Sequence, residues 1–449
     1  MAGFSPVYES MIETTMNWGE IVLSKKFVAL ITALFLTVLL VSGCGGGSSS
    51  TASKNDNSGV VTIKVAAWND AADSLKAEIE GFQKKYPNIK VEVQYVDNDY
   101  TKIMPRLASG SEVPDIIQTQ ARDFPAFMKK FPGQFVDVTD KASPLKDKFL
   151  ASSWDSVTVE GKIYAMPWDL GPMALYYRTD MFKEAGIDPV QIETWDDYIT
   201  AGQKLKEHFG GNVVMTGYAP DFDFFEIFFN QLGGNYATPD GKIALKSEQA
   251  IQSLTLWRRM VDSGVAIDIK DWNGRITAVK NNKIASVPYA VWYAGTLMNS
   301  VADQRGKWGI IPLPSFTKGG NKQANLGGSV LTIAKKSQNP DAAWKFIEYC
   351  LATDEGQTIM LKYGLFPSYI PFYDNIAFKA NNDYFGLPMY QFFAKQSDKI
   401  IPLHRGPIML DAVKPLKDMG SAVLSGKNIE ESIDTAAQEI GKKTGLPVQ

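Results

Sequence analysis

The feature that most limits what this chain can become is the alternation of strand and helix patterns beginning at Val60. Val61, Ile63 and Val65 alternate as in a strand, and after Trp68-Asn69-Asp70 the apolar positions Leu75, Ile79, Phe82 and Tyr86 recur at helical spacing until Pro87. A second strand is expected at Ile89 to Tyr95, a helix from about Tyr100 to Ala108 that Pro105 kinks or delays, and a short strand at Asp115 to Gln118. Strands separated by helices pair in parallel, and open sheets of this kind gather ligands beyond the carboxyl ends of their strands. Trp68-Asn69-Asp70 and Thr119 to Asp123 occupy those ends. At 449 residues the chain exceeds one ordinary core, so two lobes are expected.

The first sixty residues read as an address and a tether. Lys25-Lys26, the 15 mostly apolar residues Phe27 to Val41 and the small-residue exit Ser42-Gly43-Cys44 have the layout of a secretory signal. The run is shorter than the roughly 20 residues of a transmembrane helix, which is the competing reading. Its end resembles the bacterial lipobox, which implies cleavage before Cys44 and lipid on that residue. Gly45 to Gly59 is Gly/Ser-rich and polar, a flexible leash. Residues 1–22 hold Glu9, Glu13 and Glu20 where a signal should be basic, so translation is expected to begin near Val22 or Leu23. With Cys44 modified, Cys350 is left unpaired and reads as a small buried residue in a helical pattern.

Composition removes several functions. Lys plus Arg is 46 against 49 Asp plus Glu, so no basic field favours nucleic acid. Two Cys and two His supply neither a disulfide framework nor a structural zinc site, and no GxxxxGK[ST] phosphate loop appears. No cofactor is expected.

The run Gly161-Lys-Ile-Tyr-Ala-Met-Pro-Trp-Asp-Leu-Gly-Pro-Met-Ala-Leu-Tyr-Tyr-Arg-Thr-Asp-Met-Phe-Lys-Glu-Ala-Gly-Ile-Asp-Pro189, then Thr194-Trp-Asp-Asp-Tyr198, resembles the central signature of family 1 extracellular solute-binding proteins, the carbohydrate receptors of ABC importers. Lys283 to Trp292, Trp308 to Pro314, Asn325 to Val330, Pro340 to Ile347 and Thr353 to Gly356 continue the resemblance in the expected order. It implies an α/β, two-lobed periplasmic-binding-protein-like fold of type II, each lobe a mainly parallel sheet flanked by helices and discontinuous in sequence. The implied organisation is a signal peptide at 1–43, a lipidated linker at 44–59, lobe one at 60–168, lobe two at 169–312, a return to lobe one at 313–366, and lobe-two C-terminal helices at 367–449. Crossings fall near Trp168 to Met173, Ile311 to Pro314, and Leu365 to Ser368.

A sugar presents hydroxyl edges and C–H faces, so its site needs aromatic platforms beside planar polar groups that engage two hydroxyls at once. Taken alone, a Trp is more often a packing residue than a platform. The resemblance shifts that balance toward Trp292, the first candidate, which follows a short strand where related receptors place a stacking tryptophan. Asp169 matches a region that carries an acidic hydroxyl ligand, and Asp221 matches an acidic residue of the opposite lobe. Trp68, Asn69, Trp168 and Trp272 join them from loop positions, and Gln120 and Asp123 from the loop after the third strand. Gly328 and Ser329 read equally as a strand-entry turn, and Arg405, which could reach the cleft from the C-terminal segment, reads more commonly as a solvent-facing charge. Related maltose receptors carry a Trp near Thr119 that this sequence lacks, which argues against maltodextrin. Trp195 and Trp344 fall in helical patterns and read as structural.

The implied function is a lipid-anchored, monomeric receptor at the outer face of the cell membrane, facing a periplasm where there is an outer membrane. It captures a mono- or oligosaccharide and delivers it unaltered to ABC permease subunits driven by a cytoplasmic ATPase. The rival from another class is a secreted glycoside hydrolase or lyase, which also sets carboxylates beside aromatic rings. A third reading, an anion or metal receptor, fits aromatic and amide-rich candidates less well.

Overall fold

The computed structural model describes residues 59–397 and 399–449; the signal segment, Cys44, the linker to Ser58 and the expected start near Val22 lie outside them. Val61–Ala67 (β1) pairs in parallel with Ile89–Tyr95 (β2) and with Ile116–Gln120 (β3). The helix Asn69–Lys85 connects the first two, burying Leu75 and Phe82 and stopping before Pro87. The next helix is Ile103–Ser109, which places Pro105 in its first turn, where a missing N–H is tolerated. That is why it starts later than Tyr100.

A small hairpin, Thr158–Val159 (β4) with Lys162–Ile163 (β5), leads to Ala165–Pro167 (β6), Asp169–Leu170 (β7) and Met173–Arg178 (β8). Thr216–Tyr218 (β9) pairs in parallel with Ala266–Asp268 (β10). Ser286–Ala290 (β11) and Trp308–Ile311 (β12) flank β8 on either side. Ser329–Ile333 (β13) and Phe366–Pro367 (β14) complete the set. The first sheet runs β2-β1-β3-β13-β6 and the second β11-β8-β12.

The expectation of mainly parallel sheets holds for β1, β2, β3 and the β9–β10 pair, while β13 is antiparallel to β3 and β6, and β11 and β12 are antiparallel to β8. The reason is topological. The chain leaves the first sheet at Pro167 and enters the second at Met173; to return, β12 must run back toward the exit, so Ile311 lies beside Leu175 and Trp308 beside Arg178. β13 then departs from that same place, with Val330 opposite Pro167. β14 pairs with β7 there as well, Phe366 opposite Leu170. Three passages of chain between the sheets therefore lie together.

Trp195 and Trp344 are buried, and the Trp195 indole N–H donates to Gln231 Oε1 at 2.8 Å. Trp195 opens the helix Trp195–His208, whose start is fixed by a reciprocal Thr194–Asp197 capping box.

One buried polar group has a measurable signature. Glu78, fully enclosed on the core face of the first helix, accepts from Ser74 Oγ at 3.0 Å and lies beside the buried thiol of Cys350. Burial pushes its carboxyl up from 4.5 to about 8. The folded chain thus holds a proton that the unfolded chain releases, so stability falls as pH rises from about 4.5 toward 8. Glu78→Gln should flatten this dependence by on the order of a few kcal/mol across that window, measured as urea unfolding of both proteins at pH 5 and pH 8.

Candidate functional site

A cavity of about 880 Å3 opens where the carboxyl ends of β1 and β3 face the segments after β9 and β11. Its floor is the place where the chain passes between the sheets. Asp169, at the start of β7, is buried, and its Oδ1 accepts the Ser329 backbone N–H at 2.7 Å. Ser329 Oγ accepts from Gln118 Nε2 at 3.0 Å, and Gln118 Oε1 in turn accepts the backbone N–H of Trp68 at 3.0 Å. Burial pushes the Asp169 carboxyl up to about 6, against the lowering effect of Ser329. Gly328 has φ +98°, and a Cβ there would sit 3.0 Å from the Asp169 carbonyl oxygen, so glycine is what lets these two segments of the chain approach.

The β1–β3 wall carries Trp68, which packs edge-on against Tyr100 at 5.8 Å, and the exposed Asn69 that opens the first helix. Tyr100 OH donates to Asp123 Oδ2 at 2.7 Å and accepts the Gln120 N–H at 2.9 Å, ordering the loop after β3. Burial raises the Asp123 carboxyl despite Arg122 beside it.

The opposite wall is aromatic. Trp292 follows β11; its indole N–H is fixed to the Leu326 carbonyl at 3.0 Å, leaving the ring half-buried at the cavity. Tyr289 meets it edge-on at 5.0 Å, and Trp272 lies 5.9 Å away with planes inclined by 40°. Asp221 and Asp223 follow β9. Asp221 Oδ1 accepts the Asp223 N–H at 3.0 Å, and Tyr289 OH donates to Asp223. Burial, then the charge of Asp223, pushes the Asp221 carboxyl up to about 7.

Trp68, Asn69, Gln120, Asp123, Asp169, Asp221, Trp272, Trp292, Gly328 and Ser329 all line this cavity. Trp168 and Arg405 do not. Trp168 is 1% exposed in the core, because neighbours along extended chain face opposite ways and it is Asp169 that faces the cavity. Arg405 is turned to Glu226, Nη2 to Oε1 at 2.9 Å, instead of reaching the cavity or solvent. Sequence reasoning missed Tyr289 and Arg275, which also line it, and passed over Asp70 and Arg122 as ligands although it placed both in segments where ligands gather. Tyr289 sits inside the motif that ends at Trp292, so its spacing carried a usable signal.

Two polar connections run from cavity residues of the β1–β3 wall to helices that follow β11 and β9. Asp70, in the first turn of the Asn69–Lys85 helix, accepts from Asn299 Nδ2 at 3.0 Å and from Thr296 Oγ1 at 3.4 Å, both on the helix Tyr293–Ser300 that follows β11. Arg122, after β3, reaches Glu226 Oε1 at 3.3 Å on the helix Asp223–Gln231. Glu226 is fully buried and also accepts from Tyr236 OH at 3.2 Å. Burial alone would raise its carboxyl, but Arg405 and Arg122 outweigh burial and hold it below the ordinary range.

With this geometry in view, comparison with known proteins is decisive on family. The model of bacterial extracellular solute-binding proteins matches residues 68–357. The chain belongs to that family. This solute-binding protein is 25% identical over 442 residues to an arabinooligosaccharide-binding protein of Bacillus subtilis (strain 168), covering 94% of this chain and 100% of the relative. A lactose-binding protein of Rhizobium radiobacter is 30% identical over 338 residues, 73% of this chain and 79% of that one. Among solved structures, the ABC transporter associated binding protein from B. animalis subsp. lactis Bl-04, in complex with beta-1,6-galactobiose, superposes with a TM-score of 0.78 at 28% identity, covering 87% of this chain and 100% of that chain. The two-lobed type II fold is thereby established, and members of the family are receptors for solutes.

Proposed function

We propose that the chain captures a mono- or oligosaccharide in this cavity and delivers it unaltered to the transmembrane subunits of an ABC importer. The observation that carries the reading is the pairing, in one cleft between two sheets, of an aromatic wall (Trp272, Tyr289, Trp292) with planar polar groups (Asn69, Gln120, Asp169, Asp221). Its volume lies within the range of about 300–1,000 Å3 common for small-ligand sites. The relatives named for arabinooligosaccharide and lactose binding support it. In this reading the lobes are 60–168 with 313–366, and 169–312 with 367–449, closing about the three passages of chain. The receptor works as a monomer held at the outer face of the membrane by lipid on Cys44.

The test titrates purified protein with arabinotriose, lactose and β-1,6-galactobiose, following Trp fluorescence and reducing ends together. Saturable fluorescence change with no new reducing ends is expected. The two raised carboxyls, Asp169 and Asp221, are groups a glycoside hydrolase would use as acids, so reducing ends that accumulate with time would favour that rival.

The same carboxyls give binding a pH dependence. A sugar hydroxyl donates best to an ionised carboxylate, so affinity should rise between pH 5 and pH 8 as Asp169 passes about 6 and Asp221 about 7. Asp223 opposes ionisation of Asp221, while Arg275 and Lys417 favour it. A gain of roughly ten- to a hundred-fold in affinity is expected by calorimetry, with protons released on binding below pH 7.

A further inference from the structure

Arg275 stands apart from every other charged group in the cavity wall. It lies in the first turn of the helix Trp272–Lys280, whose start is fixed by Asp271, with Oδ1 accepting the Gly274 N–H at 2.8 Å. That turn has no slack: a Cβ at Gly274 would fall 1.7 Å from the Ile269 carbonyl oxygen. The guanidinium is packed over the Tyr289 ring at 4.3 Å and beside the Trp272 ring at 5.7 Å. The residue is 1% exposed, yet among the described residues its side chain makes no hydrogen bond and no ion pair. Nε and Nη1 are enclosed without partners. Nη2 is the one guanidinium nitrogen not enclosed in this way, on a residue that lines the cavity.

A buried guanidinium held on two aromatic faces with its remaining donors idle is arranged for something that is not part of the chain. Its charge is already met at longer range, since Asp221 and Asp223 both act on it electrostatically. A third carboxylate entering here, from the ligand, would face those two. An uncharged hydroxyl oxygen would face no such repulsion and would supply the missing acceptor. Asp221, on the same wall, supplies the matching acceptor for a neighbouring hydroxyl.

We infer that Arg275 and Asp221 form a subsite for an uncharged diol, one hydroxyl accepting from Arg275 Nη2 and its neighbour donating to Asp221, so that the receptor takes neutral sugars and rejects uronic acids. The inference rests on the carbohydrate reading and adds to it the class of sugar and a specificity residue. Arg275→Lys keeps the charge and loses the planar fork.

The experiment measures affinities of wild type and Arg275→Lys for arabinotriose, lactose and β-1,6-galactobiose, and of wild type for digalacturonate, with thermal melting of both proteins. Expected results are a loss of tenfold or more in Arg275→Lys for the tightest neutral sugar, an unchanged melting temperature, and digalacturonate binding at least tenfold weaker than that sugar. Equal affinity in the variant, an affinity loss matched by a fall in melting temperature, or digalacturonate binding as tightly as the best neutral sugar would each overturn the inference. Arg275→Gln, which removes the charge, should lose at least as much; retained binding there is equally fatal. Wild type that binds none of the neutral sugars would remove the carbohydrate reading itself, a result distinct from a variant that matches a binding wild type.

Discussion

Glu226→Ala should lower the stability of the folded chain by about 3–5 kcal/mol, the loss expected when one partner of a buried ionic cluster is deleted. Glu226 is fully enclosed and holds Arg405 at 2.9 Å and Arg122 at 3.3 Å; without it the only other carboxylate within 4 Å of these two largely buried guanidinium groups, among the described residues, is Asp123, 3.8 Å from Arg122 and too distant for a hydrogen bond. Urea unfolding at pH 7 measures the effect, and a loss below about 1 kcal/mol would mean that the two arginines are compensated elsewhere. The pH sign is set by the depressed carboxyl: its stabilisation is present above the ordinary value of 4.5 and disappears as acid takes the pH down through the folded-state value. Glu226→Ala should therefore differ from wild type most at neutral pH. Because Arg122 lines the cavity after β3 while Glu226 sits on the helix after β9, the variant should also bind sugar more weakly, having lost the bond that holds Arg122 to that helix.

Trp292→Ala is expected to weaken sugar binding by more than about 1 kcal/mol and up to about 3, in line with the loss of a central aromatic contact, while the chain still folds. The indole is half-buried and anchored through Leu326, so a sugar would meet a ring already fixed in place. Trp292→Phe keeps a smaller face and gives up the 3.0 Å anchor, and its affinity should fall between the two. Fluorescence titration with the tightest sugar of the panel reads both variants. Unchanged affinity in Trp292→Ala would take this ring out of the site.

Much of this architecture can be read from the chain alone, and the limits have physical causes. The strand Ile89–Tyr95 and the helix before Pro87 were legible because alternation and helical spacing are local properties. The antiparallel placement of β12 and β13 was not, since it follows from where the chain must return, which no window of residues records. Within the cavity, Asp169, Asp221 and Trp292 were singled out by the resemblance to a receptor family, since strand-like runs alone do not separate a lining residue from a packing one. Trp168 shows the cost of treating neighbours alike, for a shift of one position on extended chain moves a side chain to the other face. Arg275 and Arg122 escaped notice because nothing in their surroundings in sequence separates a solvated arginine from an enclosed one; only packing against Tyr289, or against Glu226 from another element, makes the difference.

The bond from Asp169 to the Ser329 N–H ties a cavity residue to the start of β13, beside the place where the chain passes between the two sheets. Attempts to retarget this receptor to a new cargo therefore have two kinds of position to choose from. Exchanges at Trp272, Arg275 or Asp221 alter one wall and leave the joint as it is, whereas any exchange at Asp169, Gly328 or Ser329 also disturbs the place where the chain passes between the sheets. Libraries that vary the first group should yield altered preferences with transport intact; those that vary the second should yield proteins that still bind and no longer deliver.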